Sequence, residues 1–310
     1  MKIENIKISI PKRKLSEQSE IEEWRNETPM DYFKAVAILN KATSPNASVE
    51  VFKAIYQIIR LYIPDVLYKF ISLSEDEKGN DQKFETLLRK KMYLSTIDKF
   101  NDPFDSKAFF YYPEVLEKYK RIRTGNRGKL INDITKYIRT ASLTDNNVFS
   151  LPMWAHYANN HKGFCIAYNM KKNTVLAGCT FPVQYTEERL DISSFIDDYM
   201  GMVVDKIEEQ QNQGRKQIMI DDNRFLFYFL LLCNIKHSSW NYEKEFRCTE
   251  ASNAPGAPYI DAIPSAIYIG MKCSLENETQ LRKIGKQLNI PVHKMIWDDY
   301  SENFKLSMDI

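Results

Sequence analysis

Residues 66–105 read VLYKFISLSEDEKGNDQKFETLLRKKMYLSTIDKFNDPFD, and the order of patterns within them decides the fold class. VLYKFISL (66–73) reads as a strand, FETLLRKK (84–91) has helical spacing, and KMYLSTIDKF (91–100) returns to strand character. NDPFD (101–105) is a turn: Pro103 has no backbone N–H to donate and biases Asp102 toward an extended conformation.

The same alternation continues downstream. A helical basic region is expected up to Tyr137, then a strand at IRTASLTD (138–145) and a short helix at PMWAHYANN (152–160) with proline in its first turn. GFCIAYNM (163–170) and FPVQYTE (181–187) read as strands, residues 194–237 as largely helical, and FRCTE (246–250) and AIYIG (266–270) as strands. LRKIGKQL (281–288) is a helix and HKMIWD (293–298) a last strand. Short strands separated by helices of unequal length, without regular strand–helix alternation, predict an α+β fold. Its sheet is expected to be mixed or antiparallel and flanked by helices.

Upstream the character is helical. Met30–Leu39 and Val49–Tyr62 carry apolar residues at helical spacing on either side of the turn cluster TSPNAS (43–48), with Ser48 placed to cap the second helix. Pro64 closes this unit. Residues 1–64 are therefore expected as a helical accessory segment and residues 65–310 as the α+β domain.

Composition narrows the function classes. With 43 basic and 41 acidic residues the chain is nearly neutral, so no overall field favours nucleic acid or an anionic membrane. Basic residues do cluster between Glu117 and Arg139, eight against two acids, a pattern that usually marks a solvated helix face. Only 10 glycines in 310 residues argue against a glycine-rich nucleotide loop. The five cysteines lack any CxxC pair and read as reduced, mostly buried thiols, so a cytoplasmic location is expected. The amino terminus lacks the apolar core of a signal peptide, and the most apolar run, Phe225–Cys233, is too short to span a bilayer. No membrane partner and no metal are expected: His156 and His161 are five apart, which does not match the i, i+4 pair of a helical zinc site.

Three polar, aromatic stretches stand beside these apolar strands. In MWAHYANNHKGFCIAY (153–168), Trp154, Tyr157 and His161 share a helix face and His156 lies on another; the aromatic pair suits a core or a stacking wall equally, and His156 is the candidate catalytic imidazole. In WNYEKEFR (240–247), Glu243, Glu245 and Arg247 alternate onto one face if the run is extended, so two carboxylates and a guanidinium converge. Trp240 and Phe246 suggest burial, which would separate the two carboxylate pKa values. Ser95 and Thr96 end a strand before the NDPFD turn, where hydroxyls can orient a ribose or phosphate. Lys69, beside Tyr68 in an apolar strand, needs a partner or a ligand.

Taken in order, LYKF, LSTIDKFNDPFD, MWAHYANNHKGFCIAY, the VQY strand and WNYEKEFR closely resemble a widespread bacterial family labelled as a domain of unknown function, DUF2971. The resemblance spans about residues 66–300 and implies no settled reaction.

A looser resemblance is to the ADP-ribosyltransferases. These carry a basic residue on a first strand, a hydroxyl-bearing strand and a late Glu/Gln-x-Glu whose last glutamate stabilises an oxocarbenium-like ribose. Lys69, Ser95-Thr96 and Glu243-Lys244-Glu245 keep that order, with lysine in place of the usual arginine or histidine and Arg139 as another candidate for the basic role. This resemblance implies NAD as substrate, with Glu245, Glu243 and His156 as catalytic residues. Tyr68, Lys69, Ser95, Thr96, Trp154, Tyr157 and Arg247 would then contact NAD. It further implies a macromolecular acceptor, protein or nucleic acid, for a toxin or phage-defence effector, with residues 1–64 available to a regulatory partner. Two other readings use the same residues: a metal-dependent nuclease with Asp102, Asp105, Glu243 and Glu245 gathering magnesium, and a sensor that binds a ligand or phage protein without turnover.

Overall fold

Helical spacing at the start of the chain becomes three helices, α1 (Gln18–Glu27), α2 (Tyr32–Asn40) and α3 (Pro45–Arg60). Asp31 caps α2 by accepting from Lys34 N at 2.9 Å, and Ser44 caps α3 by accepting from Ala47 N at 3.2 Å. Ser48, the expected cap, instead lies inside α3 and donates its hydroxyl to Pro45 O at 2.6 Å. Pro45, preorganised for the first helical turn, moves the helix start upstream. The computed structural model describes residues 18–42, 44–74, 79–100, 102–105, 107–119, 138–215, 223–251 and 258–309. The amino-terminal run 1–17, Asn101 and the basic residues within 120–137 lie outside them.

The stretch that predicted the fold class divides into β1 (Val66–Ile71), α4 (Asn80–Leu88), β2 (Lys91–Tyr93) and β3 (Ser95–Thr96), the last two in place of one long strand. A 3-10 turn at Ile97–Lys99 follows, then β4 (Phe109–Phe110), α5 (Glu114–Glu117) and β5 (Ile138–Thr144). Next come α6 (Leu151–Tyr157), β6 (Phe164–Asn169) and α7 (Thr174–Gly178). FPVQYTE splits at Val183 into β7 (Thr180–Pro182) and β8 (Gln184–Thr186), which join different sheets. After β9 (Leu190–Asp191), the largely helical region holds α8 (Ser193–Asn212) and α9 (Arg224–Leu232) but ends in a strand, β10 (Ile235–His237). The chain finishes with β11 (Glu245–Ala251), β12 (Tyr259–Asp261), β13 (Ala266–Ile269), α10 (Leu275–Leu288), β14 (Val292–Trp297) and β15 (Leu306–Met308).

The main sheet runs β15-β14-β13-β6-β1-β5-β11-β7, with β3 added on β5. Its pairings are antiparallel except for β13 with β14. Three two-stranded pairs flank it: β12 with β2, β10 with β8, and β4 with β9. The fold is α+β, with a mixed and mostly antiparallel sheet. No helix among the described residues is long and apolar enough to cross a membrane.

Residues 1–64 are expected as an accessory segment, yet their described part shares its core with the rest of the chain. Tyr32, Val36, Leu39, Ile55 and Ile59 of α2 and α3 form one buried cluster with Phe195, Phe229, Leu232 and Ile235. Tyr32 also donates its buried hydroxyl to Pro182 O at 2.7 Å. No separate core marks a boundary at residue 64 among the described residues.

Candidate functional site

Strands β1 and β5 are neighbours in the sheet order but pair only at Tyr68↔Thr144. On their other sides the ladders are long: β1 follows β6 from Val66↔Asn169 to Ile71↔Phe164, and β5 follows β11 from Thr144↔Glu245 to Ile138↔Ala251. The sheet therefore opens between β1 and β5. A cavity of about 630 Å³ sits at this opening, within the usual range for a small-molecule site. Tyr68, Lys69, Phe70 and Ile71 line one side and Thr140–Thr144 the other. Residues of α4 and β2 lie over it together with Tyr259, and Asp105, Lys236, Trp240, Glu243 and Glu245 close one end.

That end is a buried ionic cluster. Lys236 Nζ donates to Glu243 Oε2 at 2.7 Å and to Glu245 Oε2 at 3.1 Å, with Asp105 Oδ2 at 3.9 Å. Arg247 is fully buried behind it, its Nε 3.0 Å from Glu245 Oε1 and its Nη1 donating to Cys233 O at 2.6 Å, while Nη2 grips Asp105. Tyr157 donates its hydroxyl to Glu243 Oε1, and Tyr185 Oη accepts from Glu245 N at 2.8 Å. The indole of Trp240 carries Lys236 over its face at 4.8 Å.

Glu243 reaches this cluster by a route the extended reading of WNYEKEFR misses. Ser238–Glu243 form a 3-10 helix, and Lys244 at φ 44° is left-handed, so Glu243 precedes β11 rather than lying on it. The left-handed residue reverses the chain and brings both carboxylates to one amine.

Three carboxylates face two cations here, and burial acts differently on each. For Glu245, desolvation favours the neutral acid, but Arg247 and Lys236 more than reverse it and hold the group at about 2. For Glu243 desolvation wins over Lys236 and Tyr157, and its pKa is raised; Asp105 is raised for the same reason despite Arg247. Lys236 is opposed by burial but raised overall by its carboxylates, so it stays an ammonium. Glu245 is thus a fixed anion, and Glu243 and Asp105 are the members readiest to take a proton.

Lys69 lies elsewhere on the wall. Its Nζ donates to Ser142 O at 3.1 Å, and burial pushes its pKa down to about 8, with Cys248 and Glu245 raising it only in part. The accessible surface it retains faces the cavity.

The sequence-predicted residues divide into two groups. Lys69, Tyr68, Ser95, Tyr157, Glu243 and Glu245 line the cavity. Trp154, His156, Thr96 and Arg247 do not. Trp154 is completely buried, edge-on to Phe70 at 5.1 Å, and donates its Nε1 to Val148 O at 2.6 Å, so it packs the core. His156 is exposed beside the rings of Tyr157 and Tyr242, because the inward face of α6 is taken by Met153 and Trp154. Thr96 alternates away from the cavity and pairs with Arg139, which does not line it either. Arg247 acts through Glu245 and Asp105.

Instead of extending α6, the NNHKG segment turns sharply. Asn159, Asn160 and His161 are all left-handed, at φ 47°, 53° and 70°. Gly163 then passes so close to β1 that a Cβ would stand 2.0 Å from Ile71 O. The NNHKG part of that stretch holds β1 and β6 together, while Met153 and Tyr157 before it line the cavity.

Sequence reasoning passed over Lys236 as a site residue and treated Asp105 chiefly as part of a turn. Asp102 does close that turn by accepting from Phe104 N at 2.8 Å, yet Asp105 is buried in the cluster. Lys236 carried a signal like the one that singled out Lys69, a lysine set among apolar residues. Among the described residues no group of three or more His, Cys, Asp and Glu side chains is arranged to hold a metal ion.

Residues 153–248 match the model of a family described as a protein of unknown function (DUF2971), the family that the motifs resemble. The match takes in Glu243, Glu245, Arg247 and Lys236 but stops short of Lys69, Ser95 and Asp105. No curated protein and no solved structure matches the chain.

Proposed function

We propose that the chain is an NAD-using enzyme of the ADP-ribosyltransferase or NAD glycohydrolase type. The observation that carries this reading is Glu245: a buried carboxylate held by Arg247 and Lys236 on the wall of a cavity that also holds Lys69 and Ser95, its pKa lowered to about 2. When the nicotinamide–ribose bond breaks, its electron pair leaves with the nicotinamide nitrogen and positive charge develops on the ribose. An anion that needs no reorganisation stabilises that charge as it forms, in a site where water screens poorly. Lys69 supplies positive charge for the pyrophosphate, and Trp240 and Tyr68 offer faces to a planar ring. Water or an acceptor hydroxyl, amine or base would then take the ribose carbon and release a proton. Such an enzyme would act in the cytoplasm as a toxin or phage-defence effector, with a protein or nucleic acid as acceptor.

One observation favours a second reading, a binding module without turnover. Glu245 already meets Arg247 and Lys236, a saturation more typical of a site that must stay put than of one that meets developing charge. The nuclease reading lacks comparable support, since Asp105, Glu243 and Glu245 are engaged by these same cations. Incubation with NAD separates the first two. Nicotinamide release should be measurable by chromatography and should fall by about 10²–10³ in Glu245→Gln of unchanged circular dichroism. Saturable NAD binding with no release, with protein, DNA and RNA acceptors supplied, would replace the enzyme with the binding module.

A further inference from the structure

Five lysines line the cavity, Lys69, Lys83, Lys91, Lys99 and Lys236, and Lys236 and Lys69 differ most in their surroundings. Lys236 sits among three carboxylates. Lys69 has a backbone carbonyl, Ser142 O at 3.1 Å, as its hydrogen-bond acceptor, and among the described residues no carboxylate lies within ion-pairing distance of it. An ammonium held this way has lost water without gaining an anion, so Lys69 gives up its proton more readily than an ordinary lysine and holds a larger share of neutral amine. A neutral amine with a free lone pair beside an open cavity is a nucleophile.

The rest of the cavity says what it would meet. Tyr68, Tyr93, Tyr157 and Trp240 are among the residues that line the cavity, an aromatic lining suited to a ring, and the volume exceeds what one ring needs. We propose that Lys69 is a covalent site that condenses with an aldehyde carried on a planar ring bound in this cavity. The amine nitrogen bonds to the carbonyl carbon, the carbon–oxygen bond breaks, and the oxygen leaves as water with the two N–H hydrogens. The product imine is less basic than the amine and so removes the need to house a buried cation. This site stands whether or not NAD is the substrate.

The charged and titratable groups that act on Lys69 are Cys248 and Glu245 of β11; Cys165 of β6 has a hydrogen bond with the Lys69 backbone. The thiols are pushed up by burial and stay neutral through the range of interest. Glu245 stays ionised throughout.

The test uses pyridoxal as the probe, with sodium cyanoborohydride to deliver hydride to the imine carbon, followed by peptide mapping by mass spectrometry. At pH 8 about half of the Lys69 amine is unprotonated, against well under one per cent for an ordinary lysine, so Lys69 should be labelled at least about tenfold faster than the exposed Lys53 and Lys171. The Lys69 rate should level off above about pH 8, while the surface rates keep climbing. Lys69→Arg, which keeps a cation and removes the nucleophile, should abolish the fast label. Labelling of Lys69 no faster than Lys53, or a fast label that survives in Lys69→Arg, overturns the assignment. Because the readout does not involve NAD, a failure here and a failure of nicotinamide release are separate results.

Discussion

Lys236 and Lys69 reach the same cavity from different strands, one among three carboxylates and the other against a backbone carbonyl. Their surroundings push them in opposite directions. Burial lowers both, yet the carboxylates leave Lys236 raised overall, whereas Lys69 falls to about 8. Burial alone penalises an ammonium; the partner decides whether it keeps its proton. The end of the cavity built on β10 and β11 is therefore a fixed array of charges, and the β1 wall holds a group whose charge a ligand can change.

The largest expected effect breaks the fixed array. Arg247→Met would leave Glu245 and Asp105 buried with Lys236 as their remaining cation and the Cys233 carbonyl without this donor. Removing one partner from a buried ionic group strands the others, and the loss is expected at about 3–5 kcal/mol. Urea denaturation followed by circular dichroism measures it. A loss under about 1 kcal/mol would mean that the array is screened like a surface pair and is not a rigid end to the cavity.

The opposite substitution sharpens the contrast. Lys69→Met removes a cation that the fold does not neutralise, so at pH 7 it should leave stability unchanged or raise it by about 1–2 kcal/mol. The pH dependence fixes the cause. With a folded pKa near 8 and an unfolded one near 10.5, the folded state binds fewer protons between these values, so the Lys69 penalty is fully present below about pH 8. It is relieved as pH rises and is gone above about 10.5. The midpoint difference between Lys69→Met and wild type should shrink across that window; a constant difference would assign the effect to packing.

The same contrast explains what the sequence disclosed. WNYEKEFR stood out because Glu243, Glu245 and Arg247 beside Trp240 and Phe246 are unusual in an apolar setting, and the cluster they form is local. Its completion is not: Asp105 lies 142 residues from Arg247, and no pattern inside NDPFD distinguishes a turn aspartate from one that folds into a distant ion pair. MWAHY misled for another reason. Aromatic side chains at helical spacing have the same pattern whether the face meets core or ligand, and Trp154 met core. Strands such as VLYKFI and FCIAYN were legible because apolar runs flanked by turns mark buried strands. The 3-10 turn before β11 and the left-handed turn after α6 were not, since each depends on tertiary contacts that place Lys244 and Asn159–His161 in conformations side chains rarely adopt.

The smallest effect asks how far the fixed array extends toward the open cavity. Tyr157 lines the cavity and donates to Glu243, one of the two carboxylates of the cluster whose pKa burial raises. Tyr157→Phe removes one donor and leaves Glu243 with Lys236, so the expected cost is about 1 kcal/mol, that of a single hydrogen bond to a group still paired. Glu243 should then protonate more easily. A cost of about 1 kcal/mol with the Lys69 labelling rate unchanged would place Tyr157 at the edge of the array. If Tyr157→Phe instead cost as much as Arg247→Met, the hydroxyl would belong to the array itself, and the adjustable part of the cavity would be confined to the β1 wall.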